Sequence, residues 1–180
     1  PATARSDRAG EVRAGIAWNQ ARIGHFHRGL PSACIQQPEA GRELRVGEVQ
    51  PTLRGKRILV AGGGPAGMEA AAVAAQRGHD VTLYEASAQL GGQVLLAQLL
   101  PHRSEFGGAN TNLQREMQLA GVRIERNTRV DRALVEREKP DLVIIATGAE
   151  PYWPAFERGG ELQVVDAWQV LRDAVPLGRS

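Results

Sequence analysis

Hydrophobic and polar residues follow two different regimes along this chain. Through residue 54 no period holds, because Pro, Gly, Arg and Glu interrupt each attempt. The pattern predicts an extended, loop-rich arm with one short helix near Glu11–Ala17, an arm that buries little by itself and lies against another surface. At Lys56 the character changes. KRILVAGGG is a short apolar run ending in glycines and predicts a strand buried on both faces. PAGMEAAAVAAQRGH, opened by Pro65 and closed by Gly78, predicts a helix whose small side chains allow close approach to a sheet. DVTLYEA predicts a second strand. Between Ala86 and Ala120 come a glycine turn at Gly91-Gly92, an apolar segment broken by Pro101, and a helix over 110–120. VRIERNTRV alternates as a third strand with its arginines on a solvated face, and KPDLVIIATG predicts a fourth, strongly buried strand. Beyond Glu150 the pattern predicts a loop, then a short helix over 168–171. Trp153 and Trp168 are expected to cover the sheet or to contact another domain.

Strand, helix and strand in this alternation predict an α/β fold: a doubly wound, Rossmann-type parallel sheet with flanking helices over residues 55–180, preceded by the arm at 1–54. A length of 180 residues gives room for one ordinary domain, and 42% hydrophobic with 23% charged residues suits a globular core. Net charge is only +2, and the arginines are scattered among acids, so the footprint of a nucleic-acid binder is missing. The apolar runs are too short to cross a bilayer and no leader pattern is expected. A single cysteine, Cys34, excludes an internal disulfide. A cytoplasmic protein is the expectation.

Gly62-x-Gly64-x-x-Gly67 falls between the first predicted strand and the first long helix, the context a dinucleotide fingerprint requires. Gly62 permits the tight turn, Gly64 lets a pyrophosphate approach the backbone, and Gly67 lets helix pack on strand. Free N–H groups at the helix start then face phosphate charge. Glu85 closes the second strand, where a carboxylate accepts from ribose hydroxyls and repels the 2′-phosphate of NADP. Further on, LGGQV at 90–94 and IIATGAEP at 144–151 follow the fingerprint in order.

With these motifs the sequence resembles the two-dinucleotide-domain flavoproteins. In that family the GGQ segment runs along the FAD and the ATG segment passes near its pyrophosphate. The resemblance implies FAD (or ADP in its place) as ligand, with Gly92, Gln93, Thr147 and Gly148 on the FAD side and Val130 offering backbone to the adenine. Pro65 and Ala66 within the fingerprint, Ala86 beside Glu85 and Ala146 beside Thr147 complete the expected cofactor-binding set.

NQARIGHFHRGLPSACIQQPEAGRE, immediately before the fingerprint, resembles the linker of the iron–sulfur flavoproteins of the old yellow enzyme class, which include 2,4-dienoyl-CoA reductase, trimethylamine and histamine dehydrogenases, and N-methylproline-type demethylases. Their pattern is an FMN-binding barrel, a [4Fe–4S] linker of the form C-x2-C-x3-C-x11-C, then FAD-like and NAD-like domains. The four cysteines fall here at Gly15, Trp18, Arg22 and Cys34. Thiolates hold such a cluster, so only Cys34 remains a candidate ligand and no iron–sulfur cluster is expected. Each replacement lies one base from a cysteine codon, which implies loss of an ancestral site. FMN and NADH enter only through domains or subunits outside these residues, which become the expected partners in a hetero- or homo-oligomer. The implied activity is NADH-linked enoyl reduction or oxidative N-demethylation, with no catalytic residue in this chain. The alternatives are a non-catalytic ADP-binding assembly subunit and an inactive remnant. His25 and His27 with Cys34 make no complete metal site, because alternate residues on an extended arm point to opposite sides. Packing and surface hydrogen bonds are expected of the histidines, and a half-buried thiol of Cys34.

Overall fold

The computed structural model of the chain describes residues 13–47, 49–155 and 163–172. The arm carries two single-turn helices, α1 (Ile23–Phe26) and α2 (Glu43–Val46). The helix expected near Glu11–Ala17 is not formed over 13–17, and residues 11 and 12 lie outside the described residues. Its backbone is committed elsewhere: the Ala14 carbonyl accepts from Gln36 Nε2 at 2.6 Å and Asn112 Nδ2 at 3.0 Å, and Ala17 turns to φ 52°. Nor are the histidines on an extended segment. His25 lies on α1 and His27 caps it, where positions two apart still face about 200° from each other. His25 Nδ1 lies 2.8 Å from the Pro31 carbonyl, a surface hydrogen bond of the kind expected.

β1 (Arg57–Ala61) is buried from Ile58 to Ala61 because both its faces are covered. Ile58 and Val60 point into one core with Met68, Leu83 and Met117; Leu59 and Ala61 point into the other with Tyr84 and Leu134. α3 (Pro65–Gln76) lays Met68, Ala71, Ala72 and Ala74 on the first face, and the small side chains bring the helix close. β2 (Asp80–Tyr84), α4 (Val94–Ala97), a 3-10 turn at Ser104–Phe106 and α5 (Gly107–Leu119) follow, with α5 packed on α3. β3 (Arg123–Glu125) is far shorter than VRIERNTRV predicts. The chain leaves the sheet at Asn127, φ 53°, whose N–H donates to the Ser87 carbonyl, while the Thr128 N–H takes the Glu85 carbonyl. An unexpected helix, α6 (Arg132–Glu138), then covers the second face, capped by Asp131, whose Oδ1 accepts from Leu134 N–H at 2.8 Å.

β4 (Leu142–Ile145) completes a parallel sheet of order β3-β2-β1-β4. The strong burial expected of this strand is not found: Leu142 is 47% and Ile145 78% exposed, because among the described residues β4 pairs only with β1 and stands at the sheet edge. α7 (Ala167–Leu171) closes the described fold, locked by a reciprocal Asp166–Gln169 capping box.

Candidate nucleotide cleft and the cavity beneath the arm

From β1 the chain runs on to β2 and β3 in one direction, while β4 lies on the opposite side of β1, so the strand order reverses at the β1/β4 pair. At the carboxyl ends of these two strands opens a cleft of about 890 Å³. That is where open α/β sheets bind ligands. The cleft gathers Gly62, Gly64, Pro65, Ala66, Glu85, Gly92, Gln93, Ala146, Thr147 and Gly148 from segments nearly ninety positions apart in sequence. Gly67, Ala86 and Val130 do not line it. Gly67 is buried at the helix–strand contact, and the Val130 side chain packs against the second core.

The fingerprint glycines differ in what they do. Gly62 takes φ 112°, and a Cβ there would run into the Ala146 carbonyl. A Cβ on Gly67 would overlap the Gly62 carbonyl. Gly64, by contrast, has an ordinary φ of −75°, and a Cβ on it would meet no protein atom within 4 Å. Its open side faces the cleft. Gly92, φ 51°, comes so near that its Cβ would lie 3.2 Å from Gly64 Cα. Gln93 Nε2 donates to the Ala149 carbonyl at 3.1 Å and ties the start of α4 to the loop after β4.

Glu85 is held by the loop it faces. Gly63 N–H donates to Oε2 at 2.7 Å and Ser87 N–H to Oε1 at 2.8 Å. Burial alone would raise the carboxyl, but these donors outweigh it and hold Glu85 below the usual carboxylate range. The Ser87 hydroxyl and the Ala86 N–H act on the same carboxylate in the same direction. Gly63, an unspecified position in the fingerprint, is thus constrained too: a Cβ there would press on Leu90 and stand 3.0 Å from Glu85 Oε2. Sequence reasoning also missed Ser87, Ala88, Gln89, Trp168 and Arg172, which line the cleft. For the first three, the turn after Glu85 was an available signal; for the last two there was none.

The arm lies on α3 and α5. Arg13 Nε donates to Glu116 Oε1 at 3.1 Å, and a second guanidinium nitrogen lies 3.8 Å from Glu69. Ile16 is buried against Gly108. Gly15, Trp18, Arg22 and Cys34 all line one cavity of about 150 Å³. Glycine, tryptophan and arginine offer iron no thiolate, so the residues present do not fit a cluster. Among the described residues no three His, Cys, Asp or Glu gather in a geometry that could hold a metal ion. Cys34 is half-buried. An apolar cavity of about 570 Å³, walled by Ile16, Leu100, Phe106 and Leu113, adjoins the nucleotide cleft through Pro65, Gln93 and Trp168.

Residues 56–177 match the family described as pyridine nucleotide-disulphide oxidoreductase. The chain belongs to that family. N,N-dimethylglycine/sarcosine dehydrogenase of Chromohalobacter salexigens is 39% identical over 88% of this chain and 24% of its own length. NADH oxidase of Thermoanaerobacter brockii is 37% identical over 97% of this chain and 27% of its own. The solved structure of a 2-naphthoyl-CoA reductase complex superposes with a TM-score of 0.90 at 30% identity, over 99% of this chain and 27% of that one. The fold is the Rossmann-like FAD-binding fold of these flavoproteins, and the resemblance to the old yellow enzyme class stands. The chain spans about a quarter of the length of the relatives it matches. Among the described residues no helix is long and apolar enough to cross a membrane.

Proposed function

We propose that the chain binds FAD in the cleft at the β1/β4 crossing and serves as the nucleotide-binding module of a flavin-dependent, NADH-linked oxidoreductase. The observation that carries this reading is the open side of Gly64, flanked by Gly62 and Gly67 where any side chain would collide with backbone. A loop so shaped offers its N–H groups and the start of α3 to a pyrophosphate. Glu85 accepts from the ribose hydroxyls, and Val130 and Ala86 offer backbone near the adenine. Gly92, Gln93, Ala146, Thr147 and Gly148 border the pyrophosphate and the flavin. Pro65 and Ala66 fix the helix start, and Gly67 lets that helix pack. A flavin bound there supplies a two-electron acceptor for hydride; the chain's own residues bind and orient it, and none acts as acid, base or nucleophile.

The same reading treats residues 1–54 as a linker arm without iron and 55–180 as the nucleotide domain, in a cytoplasmic protein. Barrel and NAD-like partners carry the FMN and NADH chemistry. Relatives named for a dimethylglycine dehydrogenase and an aryl-CoA reductase support oxidative N-demethylation or enoyl reduction as that chemistry. A second reading, an ADP-binding subunit that assembles without electron transfer, is favoured by one observation: three cluster positions around the arm cavity carry no thiolate.

The visible spectrum of the purified chain, with analysis of nucleotide released on denaturation, separates them. Bound yellow flavin supports the first reading. Colourless protein carrying ADP supports the second. A chain that takes up neither FAD nor ADP at millimolar concentration overturns both.

A further inference from the structure

Two residues that line the cleft carry formal charge, Glu85 and Arg172. They come from different elements. Glu85 belongs to the end of β2 and is engaged by Gly63 and Ser87. Arg172 caps α7, whose Trp168 borders both this cleft and the adjoining cavity, beside Pro65 and Gln93. The Arg172 side chain is exposed, and its guanidinium lies over the Trp168 ring, 5.4 Å from the centroid. It forms no ion pair with a carboxylate among the described residues. The helix beneath it is set by the Asp166–Gln169 capping box, so indole and guanidinium are presented as a unit. The fingerprint itself contributes only backbone dipoles to a ligand that carries two phosphate charges.

We propose that Arg172, seated on Trp168, is the positioning cation for the pyrophosphate of the bound dinucleotide. This rests on the reading of the cleft given above. A guanidinium over an indole face is held in place and is more weakly hydrated than an ammonium, and its planar fork matches phosphate oxygens. The reading of the cleft puts the adenosine end beside Glu85, so a ligand without phosphates should gain nothing from Arg172.

The test measures affinities of the full chain for FAD, ADP and adenosine by calorimetry at low and high salt, with Arg172→Gln and Arg172→Lys beside the unaltered protein. Arg172→Gln is expected to weaken FAD and ADP about tenfold, the scale of one lost charge-assisted contact, and to leave adenosine unchanged. The salt dependence of ADP binding should flatten in the same variant, whereas Arg172→Lys should keep the salt dependence and recover only part of the affinity. Arg172 is exposed, so folding is checked by equal thermal transitions. ADP affinity of Arg172→Gln within twofold of the unaltered chain overturns the proposal, as does an equal loss for adenosine. If the unaltered chain binds neither FAD nor ADP, the reading of the cleft falls first and this one with it.

Discussion

Three residues apart on one motif, Gly64 and Gly67 give an added methyl group opposite surroundings. At Gly64 it meets open cleft; at Gly67 it meets the Gly62 carbonyl. Gly64→Ala should therefore leave stability unchanged within about 0.5 kcal/mol while lowering FAD affinity, and Gly64→Arg should fold and bind nothing. Gly67→Ala should lose about 1–3 kcal/mol in urea denaturation, because helix and strand must separate. Glu85 predicts a pH effect. Its folded carboxyl titrates below the ordinary 4.5. The stability it contributes is fully present above that value and is lost as the pH falls through the folded one. The unaltered chain should weaken on acidification below about pH 4.5, and Glu85→Gln should weaken less steeply over the same window. At this scale the fingerprint glycines and Glu85 were legible in sequence, since each follows from local geometry. Gly63 was not, because its constraint comes from Leu90 and Glu85, more than twenty positions away.

Among the elements, α6 shows what periodicity cannot supply. RALVERE is mostly polar and buries Leu134 alone, so no stripe announces a helix, yet Asp131 caps it and Lys139 ends it in the left-handed region. Asp131→Ala should cost about 1 kcal/mol, read by urea denaturation, because the Leu134 N–H loses its acceptor. β3 was predicted too long for a related reason. Apolar and polar residues alternate at the start of VRIERNTRV, but the backbone groups of Asn127 and Thr128 bond the turn after β2 instead of extending the sheet. β1, α3 and β2 were read correctly, because Pro65 and Gly78 punctuate the helix and the burial of β1 on both faces leaves a continuous apolar run before it. The arm's course could not be read, since it depends on Arg13, Gln36 and Asn112 meeting across the molecule.

Viewed whole, the molecule keeps one cradle at the strand ends and another within its arm. In the second, four positions line one cavity and one of them carries sulfur. Elemental analysis should find no stoichiometric iron or sulfide in the unaltered chain. A chain carrying Gly15→Cys, Trp18→Cys and Arg22→Cys together should take up both on anaerobic reconstitution, with an absorbance band near the visible blue. Iron in the unaltered chain, or none in the triple variant despite a native thermal transition, would show that these positions do not share a cluster cradle. Among the described residues the sheet has an unguarded margin. β4 ends the order at Leu142–Ile145, a run of four aliphatic residues with neither lysine nor proline along it. Proteins normally blunt such margins with charge or a kink. Handled by itself in solution, this chain should therefore stick to its own copies: the apparent mass from light scattering should rise with concentration, and Ile145→Lys should hold it down.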